Sequence, residues 1–246
     1  MKTMSSPRAK EVQKAKKDLE TGIERRREDS RRQILNAAME LFFEKGYNET
    51  TTRDIVHKTG ILNGSLYNRF KSKDDILRSV VAETINDALA VSEKSLEQEK
   101  DLLVAVVLPA AMELYAASLS SKVAELFYEA HKNWEVVQDL IDLAINWAKQ
   151  YLERYGLAPM DEECIRNGLM ESVGAVGNVM GYYSHGGRAD YHSFVKNLVA
   201  YASMVMRIPA FDINGTVGKI VRIMEAGGFV ICGHQVGHCA DPETAD

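Results

Sequence analysis

TTTRDIVHKTGILNGSLYNRFKSK, residues 50–73, holds two short helical patterns separated by a turn, and its reading decides the fold. Thr51 or Thr52 can cap the first helix, with Asp54 placed to help satisfy its first-turn amides. Ile55 and Val56 turn inward, and Gly60 allows the chain to leave the helix. After Ile61-Leu62-Asn63, the stretch 64–70 is long enough for about two helical turns. Ser72 then caps a longer helix with Asp74 and Asp75 in its first turn, where the dipole favours acids. Helix, tight turn, short helix is the geometry that sets a second helix into a major groove while the first braces it. Ile55, Ile61, Leu66 and Phe70 can form the core that fixes the angle, which leaves Asn63, Ser65, Asn68 and Arg69 outward as donors. Tyr67 adds a hydroxyl suited to a phosphate, and Thr51, Thr52, Arg53, Lys71 and Lys73 flank the element with further donors.

On the N-terminal side, Ile34, Leu35, Ala38, Leu41 and Phe42 give a helix that starts after Asp29 or Ser30 and ends at Gly46. Residues 1–29 alternate basic and acidic side chains with almost no large apolar residue, so a frayed helix or disorder is expected there until a partner arrives. The segment either adds phosphate contacts or only solubilises. The net charge of −5 is unevenly distributed. Residues 1–80 hold 18 Lys and Arg against 12 Asp and Glu, whereas the remainder holds 12 against 23. A basic end on an acidic body points to a polyanion as partner of that end.

Taken together, Ile34-Leu35-x-Ala37-Ala38-x-x-Leu41-Phe42, Gly46-Tyr47, Thr51-Thr52, Asp54-Ile55-Val56, Thr59-Gly60-Ile61, Gly64-Ser65-Leu66-Tyr67, Phe70, Ser72-Lys73 and Leu77 resemble the TetR family of transcriptional regulators. The resemblance implies phosphate contacts from Thr51 or Thr52, Tyr67 and Lys73, and base or backbone contacts from Asn63, Gly64, Ser65 and Asn68. It also implies a homodimer on palindromic operator DNA, built through two helices near the C-terminus, and an effector that shifts it off the DNA. Thr59 and Leu62 depart from the pattern: a small residue is usual at the first position and a capping hydroxyl at the second. If Asn63 takes over the capping, the recognition helix starts later.

Beyond residue 79 the chain reads as long helices, with Pro109 marking a kink or boundary and an amphipathic helix between 133 and 155. Further helices are expected at about 161–184, 190–207 and 214–225, followed by a glycine-rich tail. Gly174, Gly177 and Gly181 would allow a second helix to approach closely, and Phe194, Leu198 and Val205 add apolar surface, so these six residues are the expected dimer interface. Met112, Tyr115, Phe127, Tyr128, His131, Trp134, Trp147 and Tyr182 supply the aromatic and polar-tipped side chains that a small-molecule chamber requires.

The sequence therefore predicts an all-α protein. A charged extension (1–29) precedes a helix-turn-helix domain (30–78), an effector-binding and dimerisation domain (79–210), and a C-terminal helix and tail (211–246). No phosphate-cradling loop, nucleophile elbow or zinc-protease motif is present, so no enzyme activity and no cofactor are expected. Cys232, His234, His238 and Cys239 cluster near the C-terminus, but their spacing follows no zinc pattern, so no metal is expected. An odd cysteine count and a charged start point to a cytoplasmic protein with reduced thiols, not bound to a membrane. The rival reading is a DNA-binding protein controlled by a protein partner, or acting architecturally, with no small ligand.

Overall fold

The computed structural model describes residues 7–99, 101–154, 161–205, 212–227, 229–231 and 234–236. Helix α1 (Pro7–Lys45) ends at Gly46, whose φ of 93° only glycine adopts readily. It does not begin at Asp29 or Ser30 but runs unbroken from Pro7 through the charged extension. Opposite charges three and four residues apart, such as Glu28 with Arg31 at 3.9 Å, favour helix even without an apolar face.

From Ile34 onward α1 is part of the core: Ile34, Leu35, Ala38 and Phe42 are fully buried, with Leu41 nearly so. Helix α2 (Thr52–Thr59) carries a capping box, the Thr51 hydroxyl accepting from the Asp54 amide while the Asp54 carboxylate accepts from the Thr51 amide. Gly60 ends it in the left-handed conformation, φ 69°. Helix α3 (Asn63–Tyr67) is a single short turn and more, and Leu66 anchors it in the core. Helix α4 (Lys73–Glu99) starts with the Asp75 amide donating to the Ser72 hydroxyl at 3.1 Å, as the sequence suggested.

Helix α5 (Leu102–Leu119) lies at the centre. Its composition would suffice to cross a membrane, yet two-thirds of it is buried by the surrounding helices, so it is the core helix of this fold. Pro109 sits inside it, so it does not mark a boundary. The ring leaves the Ala105 carbonyl without its helical donor. Around α5 pack α4, α6 (Ser121–Lys132), α8 (Glu162–Ser184), α9 (Tyr191–Val205) and α10 (Ile213–Gly227), with α7 (Trp134–Arg154) joining α4 and α8. One continuous core runs from Phe42 through α4 and α5 to Ile220 and Met224 of α10.

Among the described residues the fold is all-helical apart from one small hairpin in the stretch read from sequence as tail. There, β1 (Phe229–Ile231) pairs antiparallel with β2 (His234–Val236). Three-residue strands are too short to leave an alternating pattern.

Candidate nucleic-acid interface and effector cavity

Helices α2 and α3 bring the predicted DNA-facing residues onto one surface. Thr51 is occupied with the cap, its hydroxyl 2.6 Å from the Asp54 carboxylate, and Lys45 reaches the same carboxylate at 2.6 Å. Hydrogen bonds from Lys45 and Thr51 hold the Asp54 carboxyl far below the usual carboxylate range. That leaves Thr52, whose hydroxyl lies 3.2 Å from the Tyr67 hydroxyl on the exposed side. Arg53, Asn63, Gly64, Asn68 and Lys71 are exposed and Ser65 is half-buried.

Two of the predicted donors also serve the fold. Arg69, just past the end of α3, folds back onto that helix, donating to the Ser65 carbonyl at 3.0 Å. Lys73 donates to the Tyr47 carbonyl at 2.9 Å and sits 4.2 Å from the centre of the Tyr47 ring, where burial lowers its pKa. Leu62, not Asn63, occupies the position before α3, and it makes no side-chain cap. Asn63 is the first residue of the helix, so the start is not displaced.

Helices α4, α5, α6, α7, α8 and α9 line a cavity of about 120 Å³. Of the residues expected to line it, His131 and Trp147 do. The others are corrected by burial and direction. Met112 and Phe127 are plain core, and Tyr115 packs on Tyr191 at 5.2 Å. Tyr128 covers Gly181, Trp134 is 63% exposed at the start of α7, and Tyr182 is 49% exposed with its hydroxyl on the Arg188 carbonyl. An aromatic at helical spacing shows only that a helix has an apolar face, and these faces meet neighbouring helices or solvent.

Glu113 was missed, although a signal existed: it is the lone charge in the apolar run 102–119. It lies on the cavity wall with its carboxylate 3.5 Å from His131 Nε2. His131 Nδ1 is 2.9 Å from the Phe127 carbonyl, which can only accept, so Nδ1 carries the proton and Nε2 faces Glu113. Burial raises the Glu113 pKa, against the smaller opposite pull of His131. In the unfolded chain this carboxyl ionises near 4.5; in the fold it holds its proton to higher pH. The native state then binds more protons over that interval, and stability falls as pH rises from 4.5 through the folded pKa. Glu113→Gln should remove that decline. Its melting temperature relative to wild type is expected to increase from pH 4.5 to pH 8, read by circular dichroism; a difference constant with pH would contradict it.

The expected dimer residues divide. A Cβ on Gly177 would lie 2.8 Å from His131, and one on Gly181 2.8 Å from Tyr128, so both glycines let α8 approach α6 within the same chain. Phe194 packs on Tyr183, Leu198 lines the cavity, and Val205 sits against Gly168. These five thus make contacts within the chain, Gly177 and Gly181 being buried and Phe194, Leu198 and Val205 half-buried. Gly174 alone of the six faces outward, beside exposed Met170, Ala175, Asn178 and Tyr182 on α8. Gly177→Val should cost about 1–3 kcal/mol through overpacking, seen as a lower melting temperature. Gly174→Ala, with open space around it, should leave the fold unchanged.

Helix α6 touches both halves. Its Glu125 accepts from the Asn48 amide at 2.8 Å in the turn before α2, while its His131 lines the cavity. Lys122 donates to the Glu44 carbonyl at the end of α1. Arg78 of α4 forks onto Asp139 of α7, one bond being 2.9 Å. Of the C-terminal cluster, Cys232, His238 and Cys239 lie outside the described residues, and His234 opens β2.

Residues 34–80 match the family described as bacterial regulatory proteins, tetR family. The HTH-type transcriptional repressor KstR2 of Rhodococcus jostii (strain RHA1) is 40% identical over 57 residues, covering 23% of this chain and 28% of that protein. The fatty acid metabolism regulator protein of Bacillus subtilis (strain 168) is 34% identical over 77 residues, 29% of this chain and 40% of that one. The match thus spans well under half the length of these curated relatives. Among solved structures, a TetR-family transcriptional regulator from Syntrophomonas wolfei superposes with a TM-score of 0.51 at 15% identity, over 75% of this chain and all of that one. At that identity the likeness is one of fold alone. Residues 34–80 thus carry the helix-turn-helix of the tetR family of bacterial regulatory proteins, set within an all-helical fold.

Proposed function

We propose that the chain is a cytoplasmic transcriptional repressor that binds a palindromic operator as a homodimer and is released by a small, largely apolar or aromatic effector. The observation that carries this reading is the α2–α3 face, where the Thr52–Tyr67 hydroxyl pair stands beside exposed Arg53, Asn63, Asn68 and Lys71. Hydroxyls and cations at the rim suit phosphates, and the polar side chains at the front of α3 suit base edges. A monomer would read only a few base pairs, so specific repression calls for two copies spaced by one helical turn or a multiple of it. The outward face of α8 around Gly174, Met170 and Tyr182 is the surface we assign to the second copy.

The cavity supports the effector over control by a protein partner. Its volume of about 120 Å³ is near that of an engineered apolar cavity that holds benzene. A larger effector must move the walls, and His131 on α6 is one of them. Displacement of α6 would carry Glu125 away from Asn48 and bias the orientation of the helix-turn-helix. Selection of bound duplexes from random-sequence DNA tests the reading. Enrichment of an inverted repeat is expected; recovery of unrelated sequences would refute it.

A further inference from the structure

Leu62 is 78% exposed, more than any other large apolar side chain among the described residues. It stands in the turn between α2 and α3, where a hydroxyl would cap the helix, and it provides no cap. An uncapped, solvent-exposed leucine serves neither the turn nor the core. Its surroundings are equally open: Asn63 and Gly64 are exposed, and a Cβ added at Gly64 would meet nothing within 4 Å. A recognition helix enters the groove with its leading residues against the base edges. Only one apolar group is presented in the major groove, the thymine C5-methyl.

We propose that Leu62 is a specificity-determining residue that packs on one thymine methyl in each operator half-site. This rests on the DNA-binding function proposed above. Asn63, exposed and next in the chain, is then free to hydrogen-bond the adjacent base edge. The leucine adds discrimination at one position and leaves the phosphate contacts of Thr52 and Tyr67 untouched.

Replacing thymine by deoxyuridine deletes that methyl and nothing else, so the selected operator is assayed with each half-site thymine changed in turn. At one symmetric position the wild-type protein is expected to bind about 4-fold more weakly per methyl lost, and about 15-fold when both half-sites are changed. Leu62→Ala should bind the thymine operator more weakly and not respond to deoxyuridine there. Leu62→Ser, which supplies the missing cap, should keep or raise the melting temperature and still lose the discrimination. A wild-type protein indifferent to deoxyuridine at every position, or a Leu62→Ala protein that retains the full effect, overturns the inference. A wild-type protein that binds no duplex overturns the DNA-binding reading, and this inference with it.

Discussion

Replacing Thr52 by alanine and Tyr67 by phenylalanine in one chain should weaken operator binding by at least about 100-fold and leave the fold intact. A hydrogen bond to a charged group contributes about 1.5–3 kcal/mol. A dimer loses each such bond twice, so even one phosphate contact per protomer gives about 3 kcal/mol, and 1.4 kcal/mol is tenfold. The two hydroxyls partner each other at 3.2 Å on the exposed side, so their joint removal leaves no buried group unsatisfied. Substitutions at such sites change stability by about 0.5 kcal/mol or less. Mobility shift on the selected operator and thermal melting together check this; undiminished affinity would remove both residues from the interface. Lys73 would be a poorer choice. It holds the Tyr47 and Asn48 carbonyls, so its loss would disturb the turn before α2 and DNA binding together.

Ala144→Phe should abolish the response to effector while preserving operator binding. Ala144 of α7 lines the cavity, and an added ring would occupy much of its roughly 120 Å³. An effector that must displace a packed ring loses most of the apolar burial that holds it, about 25 cal/mol for each Å² not removed from water. About 110 Å² of effector surface left unburied would then cost about 2.7 kcal/mol, or about 100-fold in affinity. The variant is therefore expected to stay on the operator at effector concentrations that release the wild type. Equal release of both proteins would place the effector elsewhere.

The helix-turn-helix was legible because short-range chemistry specifies it. Thr51 and Asp54 make a capping box, Gly60 adopts a left-handed conformation, and Ile55, Leu66 and Phe70 are apolar and buried. Each is decided within a few residues. The cavity and the outward face of α8 were only partly legible, because they depend on which helix packs where. Gly177 and Gly181 signalled close approach correctly, but sequence could not tell that the approaching helix was α6 of the same chain. Trp134 and Tyr182 had the right chemistry for a ligand chamber and the wrong direction. Glu113 could have been found by asking why one acid stands in an apolar run; burial against His131 is the answer. The helix through residues 7–29 was hidden because alternating charge suits both a solvated coil and a helix laced by pairs of opposite sign.

The most direct test of the central claim, that the α2–α3 face reads DNA sequence, is the ratio of affinities for the selected operator and for a scrambled duplex of equal length at physiological salt. A specific regulator is expected to prefer its operator by about 10³-fold or more, since base contacts add to a phosphate term common to both duplexes. Equal affinity for the two duplexes would contradict the account and leave only electrostatic attachment to DNA.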